Sequence, residues 1–121
     1  MRELKFRAFD KKNKKYIYSD SKQCNNNMSY FFALCQAIEH EEIEEFTGLK
    51  DKNRVEIYER DIVRHCAWSN MFGKYMSVIK EVYFDNELLE FGLKESNVLF
   101  HCQFSDEFKV IGNIHENKDL L

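Results

Sequence analysis

The chain has 121 residues, of which 44% are hydrophobic and 32% charged, with a formal net charge of -3. That is material for one domain with a core of its own, without the bias of a disordered chain and without the clustered Lys and Arg that a general polyanion binder needs to displace counterions. Eleven Phe and six Tyr against no Pro and four Gly point to a mainly β fold whose turns rest on Asn, Asp and Ser, residues that bond their own backbone and tolerate left-handed geometry.

In chain order, Leu4, Phe6 and Ala8 alternate with Lys5 and Arg7, the period of a half-buried strand. The run DKKNK turns the chain into Tyr16, Ile17 and Tyr18, so residues 3–19 read as a hairpin with a basic tip. A polar loop follows to Asn27. Phe31, Leu34, Cys35 and Ile38 then fall at helical spacing, which predicts a helix over residues 30–41 with Ser29 as its cap. Phe32 lies off that stripe and widens the apolar surface. Residues 42–49 read as a short strand, and LKDKN as a turn with Asp51 and Asn53 in left-handed positions. Strands are predicted over residues 62–68, 75–84, 88–93, 98–104 and 108–115, separated by turn residues, which suits a small Src-homology-3-like barrel. The expected whole is a single domain over residues 1–121, α+β but mainly β, with a hairpin and helix in residues 1–45 and the barrel in residues 46–121.

Two local patterns stand out. Lys12-Asn13-Lys14 is followed two residues later by Ile17-Tyr18, and Lys52-Asn53-Arg54 two residues later by Ile57-Tyr58; the repeat is either one hairpin solution used twice or a coincidence in a Lys- and Asn-rich chain. Charge is also uneven. Residues 1–22 hold eight basic side chains and three acidic ones, whereas residues 39–45 hold five Glu and no Lys or Arg. These runs are two solvated faces, or surfaces that steer one copy or a partner onto another.

Candidate chemistry is sparse. Cys24, Cys35, Cys66 and Cys102 show no CxxC spacing, and the charged, alternating start is neither a targeting nor a spanning segment. The expectation is a cytoplasmic protein with reduced thiols and no membrane association. His65-Cys66 and His101-Cys102 lie in predicted strands, where neighbours point to opposite faces. Neither dipeptide can chelate a metal alone, so the cysteines are expected in the core and the histidines at the surface. No Gly-rich phosphate loop or nucleophile signature is present, and neither a catalytic residue nor a cofactor or metal site is assigned. Gly112 within VIGNI is expected to mark a bulge.

The stretches KFRAFDKKNKKYIY, FTGLKDKNRVEIYERDIV and VIGNIHENKDLL, at both ends and the centre of the chain, resemble the YopX-like family of phage and prophage proteins. The resemblance implies a mainly β fold and a phage setting, and no activity. Where that pattern usually has Gly after the turn Asn and before the strand-starting Asp, this chain has Arg54 and Arg60. Two interaction surfaces follow from the residues. Phe31, Phe32, Leu34 and Ile38 form a candidate assembly surface for a homo-oligomer or for a phage or host protein. Arg64, Trp68, Lys74, Tyr75, Lys80 and Tyr83 supply the cation-and-aromatic mixture that binds single-stranded nucleic acid, unless Trp68 and the tyrosines close the barrel. The leading expectation is a non-enzymatic accessory protein that assembles or binds another protein, with nucleic-acid binding as the alternative.

Overall fold

A computed structural model describes residues 3–94 and 108–121. The strand expected at residues 98–104, with His101 and Cys102, lies outside the described residues. The elements are β1 (Phe6–Asp10), β2 (Lys15–Tyr18), α1 (Met28–Gln36), β3 (Glu44–Lys50), β4 (Glu56–Tyr58), β5 (Asp61–Ser69), β6 (Lys74–Asp85), β7 (Glu90–Leu93) and β8 (Phe108–Asn113), followed by a short 3-10 turn at Lys118–Leu120. The fold is mainly β and barrel-like, and it divides into two compact units, Met1–Gly48 and Leu49–Leu121.

In the first unit β1 pairs antiparallel with β2, placing Ala8 opposite Ile17, and with the start of β3, placing Arg7 opposite Glu44. Ala8, Ile17, Cys24, Phe31 and Cys35 form its core, with Phe6, Leu34, Ile38 and Ile43 packed against it. Burial among apolar groups pushes the Cys35 thiol up, and the neighbouring Cys24 adds to this. A buried ion pair lies in this unit: Arg7 Nε donates to Glu44 Oε1 at 2.8 Å, Tyr16 Oη donates to the same oxygen at 3.1 Å, and the guanidinium lies 3.9 Å from the Tyr16 ring centroid. The bond within the pair and the two contacts from Tyr16 offset the cost of removing both charges from water.

The helix differs from its expected bounds at both ends. Asn27, not Ser29, is the cap: its extended backbone lets the side-chain oxygen accept from the Tyr30 amide at 3.0 Å. The helix stops at Gln36 because the next residues are drawn into strand-like bonds with β1, the Lys11 amide donating to Glu39 O and the Glu41 amide to Phe9 O. These bonds place the acidic run beside the basic hairpin, and Lys11 Nζ reaches Glu39 at 4.0 Å and Glu41 at 3.7 Å.

In the second unit the four-stranded sheet runs β7-β6-β5-β8. Its core is Ile57, Val63, Val82, Phe91, Leu93 and Phe108, with Leu49, Phe84 and Val110 against it. The register of β5 with β8 shifts between Ile62 and Val63, which pair with Gly112 and Val110; Ile111 is the extra residue of the expected bulge. Gly112 is required there because a Cβ would meet Asn117 Oδ1 at 2.5 Å, the oxygen that accepts from the Asn113 amide.

The His65-Cys66 pair is the reverse of its expectation. His65 is buried with its ring edge-on to Phe108 at 4.9 Å, and Cys66 is exposed. The alternation was read correctly and the face was not: Val63 and His65 share a face with their β8 neighbours Val110 and Phe108, and that face joins the second unit's core.

The Asn-centred turns share two features. Asp10 Oδ1 accepts from the amides of Lys12 and Asn13, and Asp51 Oδ1 from those of Asn53 and Val55. In each, the basic residue after the Asn takes the left-handed position, Lys14 at φ 56° and Arg54 at φ 66°. The loops differ in length, the Lys14 amide bonding Asp10 O four residues back and the Arg54 amide Asp51 O three back, so the repeated pattern marks related but distinct turns. Asp51 and Asn53, expected at positive φ, do not occupy it; Asp51 is the acceptor that organises the turn. Arg60 also lies at φ 65°, so both places where Gly is usual in the family pattern are places whose backbone favours Gly.

Candidate interaction surface

The most exposed apolar feature among the described residues is the far end of the β5–β6 hairpin. Antiparallel register places Trp68 opposite Tyr75, Cys66 opposite Ser77 and Arg64 opposite Ile79. Side chains directly opposite share a face, so Arg64, Trp68 and Tyr75 lie on one face, with Tyr83 further along the same side of β6. Lys74 and Lys80, opposite Ser69 and Val63, belong to the other face. The six residues expected to act together are thus divided four and two.

Among the described residues this ribbon extends past its neighbours: β8 pairs with β5 from Asp61 to His65, and β7 with β6 from Val82 to Asp85. Beyond those limits Trp68 is 54% exposed, Met71 84%, Phe72 59%, Tyr75 71% and Met76 39%. Trp68 and Tyr75 meet edge-on at 5.1 Å, and the indole Nε1 donates to Asn70 Oδ1 at 3.1 Å. At the tip the Phe72 amide donates to Ser69 Oγ and the Gly73 amide to Ser69 O; Gly73 supplies the positive φ, 60°, that closes the turn. The tip is held in shape while its side chains point outward. Exposed aromatic and Met side chains beside an Arg are the composition enriched at protein interfaces.

Met71, Phe72 and Met76 had no place in the sequence reading. Their signal was present: SNMFGK puts two large apolar residues inside a turn, where polar residues are the rule.

On α1 the expected assembly residues separate. Phe31 is fully buried, and Leu34 and Ile38 pack on the same core, because the stripe that makes the helix amphipathic is the stripe the first unit consumes. Phe32 stays exposed, as does Tyr30; the Phe32 ring rests 5.4 Å from Phe31 and 6.2 Å from Phe6.

Other places offer less chemistry. A cavity of about 250 Å3 is lined by Ile79, Lys80, Glu81, Lys94 and Leu121, with Lys94 Nζ 3.8 Å from the Glu81 carboxylate. Tyr83 Oη donates to Asp85. Partial burial and then that bond raise the phenol, while the Leu88 amide leads the groups that hold the Asp85 carboxyl below its usual range. No group of three or more His, Cys, Asp or Glu side chains gathers among the described residues in a way that would hold a metal, and no helix among them is long and apolar enough to cross a membrane.

The crystal structure of protein EF1440 from Enterococcus faecalis is similar, with a TM-score of 0.59 and 23% identity over 100% of this chain and 99% of that one; at that identity the likeness is one of fold. No curated protein matches the sequence. The family model described as YopX protein matches residues 5–121, nearly the whole chain, and the chain belongs to the YopX family.

Proposed function

We propose that this protein is a non-enzymatic assembly or protein-interaction module, an accessory protein in the phage or prophage setting that the resemblance implies, and that the β5–β6 ribbon is its contact element. One observation carries the reading: five large apolar side chains stand exposed on a single ribbon. Solvating large apolar side chains is unfavourable, and covering them with a partner recovers the hydrophobic free energy. The helix surface contributes through Tyr30 and Phe32 alone. Light scattering at tens of micromolar tests the reading, with an oligomer expected. A monomer that also captures no protein in co-purification from cells overturns it.

Binding of single-stranded nucleic acid is a second reading, favoured by a separate fact. Residues 62–80 contain Arg64, Lys74 and Lys80 and no Asp or Glu, and exposed aromatics beside cations stack on bases. An oligonucleotide gel shift at low salt is the test. Arg64, the one of the three on the aromatic face, predicts a shallow salt slope of roughly -0.7 for one phosphate contact, and no retardation at low salt excludes this reading.

A further inference from the structure

Cations that are scattered in the sequence come together in the second unit. Arg64 of β5 and Lys109 of β8 stand directly opposite each other, and side chains so placed share a face. It is the face that also carries Trp68 and Tyr75. On the outer edge of β8 the turn at residues 51–54 continues the line: the Lys52 amide donates to Phe108 O at 3.1 Å and the Val110 amide to Asp51 Oδ2 at 2.8 Å. The turn is thus bonded to the residues on either side of Lys109, and it exposes Lys52 and Arg54.

None of these four cations meets a carboxylate among the described residues. Glu81, opposite Ile62 and so on the Arg64 face, is taken by Lys94 at 3.8 Å. The buried Asp51 carboxylate is occupied by the amides of Asn53, Val55 and Val110. The arrangement also works against the fold: like charges directly opposite destabilise a strand pair, and Arg54 holds φ 66°, a conformation that favours Gly. Strain of this kind clusters at ligand sites.

The cations belong to three segments, so one carboxylate reaches only one or two of them; the matching ligand repeats its charge. Trp68 and Tyr75, 54% and 71% exposed, add a demand for flat faces. Trp68 lies about 13 Å along β5 from Arg64 at 3.3 Å per residue, a distance that a chain of nucleotides covers and a single anion does not. Only a nucleic-acid strand offers a phosphate and a π face in every unit.

We infer that Arg64, Lys109 and the turn's Lys52 and Arg54 form a phosphate track for single-stranded nucleic acid, with bases stacked on Trp68 and Tyr75. This rests on the nucleic-acid reading of the ribbon and adds the residues that hold the backbone. They take the part for which Lys74 and Lys80 lie on the wrong face.

The test is the salt dependence of oligo(dT) binding by the full chain. Four contacts predict a slope of about -3, against roughly -0.7 for Arg64 alone. Lys109→Thr and Arg54→Gly are each expected to flatten the slope by about 0.7 and to weaken binding roughly five- to ten-fold at low salt. Both should melt no lower than wild type, since one removes a like-charge neighbour and the other a strained φ. Lys74→Thr, on the opposite face, is expected to change neither slope nor affinity. A slope near that of Arg64 alone with Lys109→Thr binding as wild type, or a loss in Lys74→Thr as large as that in Lys109→Thr, overturns the track and leaves stacking on the ribbon standing. No retardation at low salt overturns track and stacking together. So does polyglutamate that displaces oligo(dT) while Trp68→Ser binds unchanged, which assigns the cations to an acidic polypeptide. Should Lys109→Thr melt below wild type, Lys52→Ser at its exposed turn position replaces it.

Discussion

The two Asn-centred turns, at residues 10–18 and 51–58, use nearly the same local sequence and differ in what anchors them. In the first, the Asp10 carboxylate serves only its own loop, accepting from Lys12, Asn13 and the Asn13 amide group. The anchoring comes from the flanking strands, where Arg7 and Tyr16 meet buried Glu44. In the second, the turn's own carboxylate is the anchor: Asp51 is buried, and its second oxygen accepts from the Val110 amide of β8 at 2.8 Å. Two related bends, each with an Asp acceptor and a left-handed basic residue, are thus set into two tertiary contexts. The lesson is that the turn motif specifies a bend, while its stability depends on which buried groups it engages.

Removing the anchors should separate the two contexts most sharply. Glu44→Leu leaves Arg7 buried without its carboxylate and should cost about 3–5 kcal/mol in urea unfolding. Asp51→Ala orphans the amides of Asn53, Val55 and Val110 and should cost about 3 kcal/mol; a loss confined to the local turn, with β8 still protected in hydrogen exchange, would break the comparison. Asp10→Ala should lower Tm less than Asp51→Ala, since no distant strand depends on it.

Backbone strain should be alike in both turns. Arg54→Gly and Lys14→Gly each relieve a non-Gly residue at positive φ, worth about 1 kcal/mol before Gly's greater unfolded-state entropy is counted. Each should raise Tm slightly, and a fall at either position would show that the basic side chain supplies more than the turn. The smallest effect is in pH. Hydrogen bonds from Asn13, side chain first and then backbone, hold the Asp10 carboxyl below its ordinary 3.8. Its folded pKa is the lower one, so its contribution is complete above about 3.8 and is lost as the pH falls through the folded value. An acid titration of Tm should therefore show less loss below pH 4 in Asp10→Asn than in wild type.

Much of this was legible in the sequence because the relevant physics is local. Strand alternation located β1, turn residues between strand-like runs located β5 and β6, the scarcity of Gly and Pro pointed to Asp and Asn turns, and the K-N-basic-x-x-I-Y repeat marked the two related bends. The candidate surfaces were only partly legible. Trp68, Tyr75 and Arg64 share a face, and Lys74 and Lys80 lie on the opposite one, since strand register and not proximity in sequence decides which side chains meet. Phe31 was assigned to a surface that the first unit's core consumes.

By itself the sequence determined the mainly β class, the turn chemistry and the family, all of which depend on residue type and short spacing. Tertiary structure alone decided three things: that His65 turns inward and Cys66 outward, that the basic and acidic runs meet through Lys11, and that, among the described residues, β5 and β6 extend past their pairing with β8 and β7. The physical reason is common to all three. A strand's two faces are equivalent until another element covers one of them, and what covers them comes from residues far away in the chain.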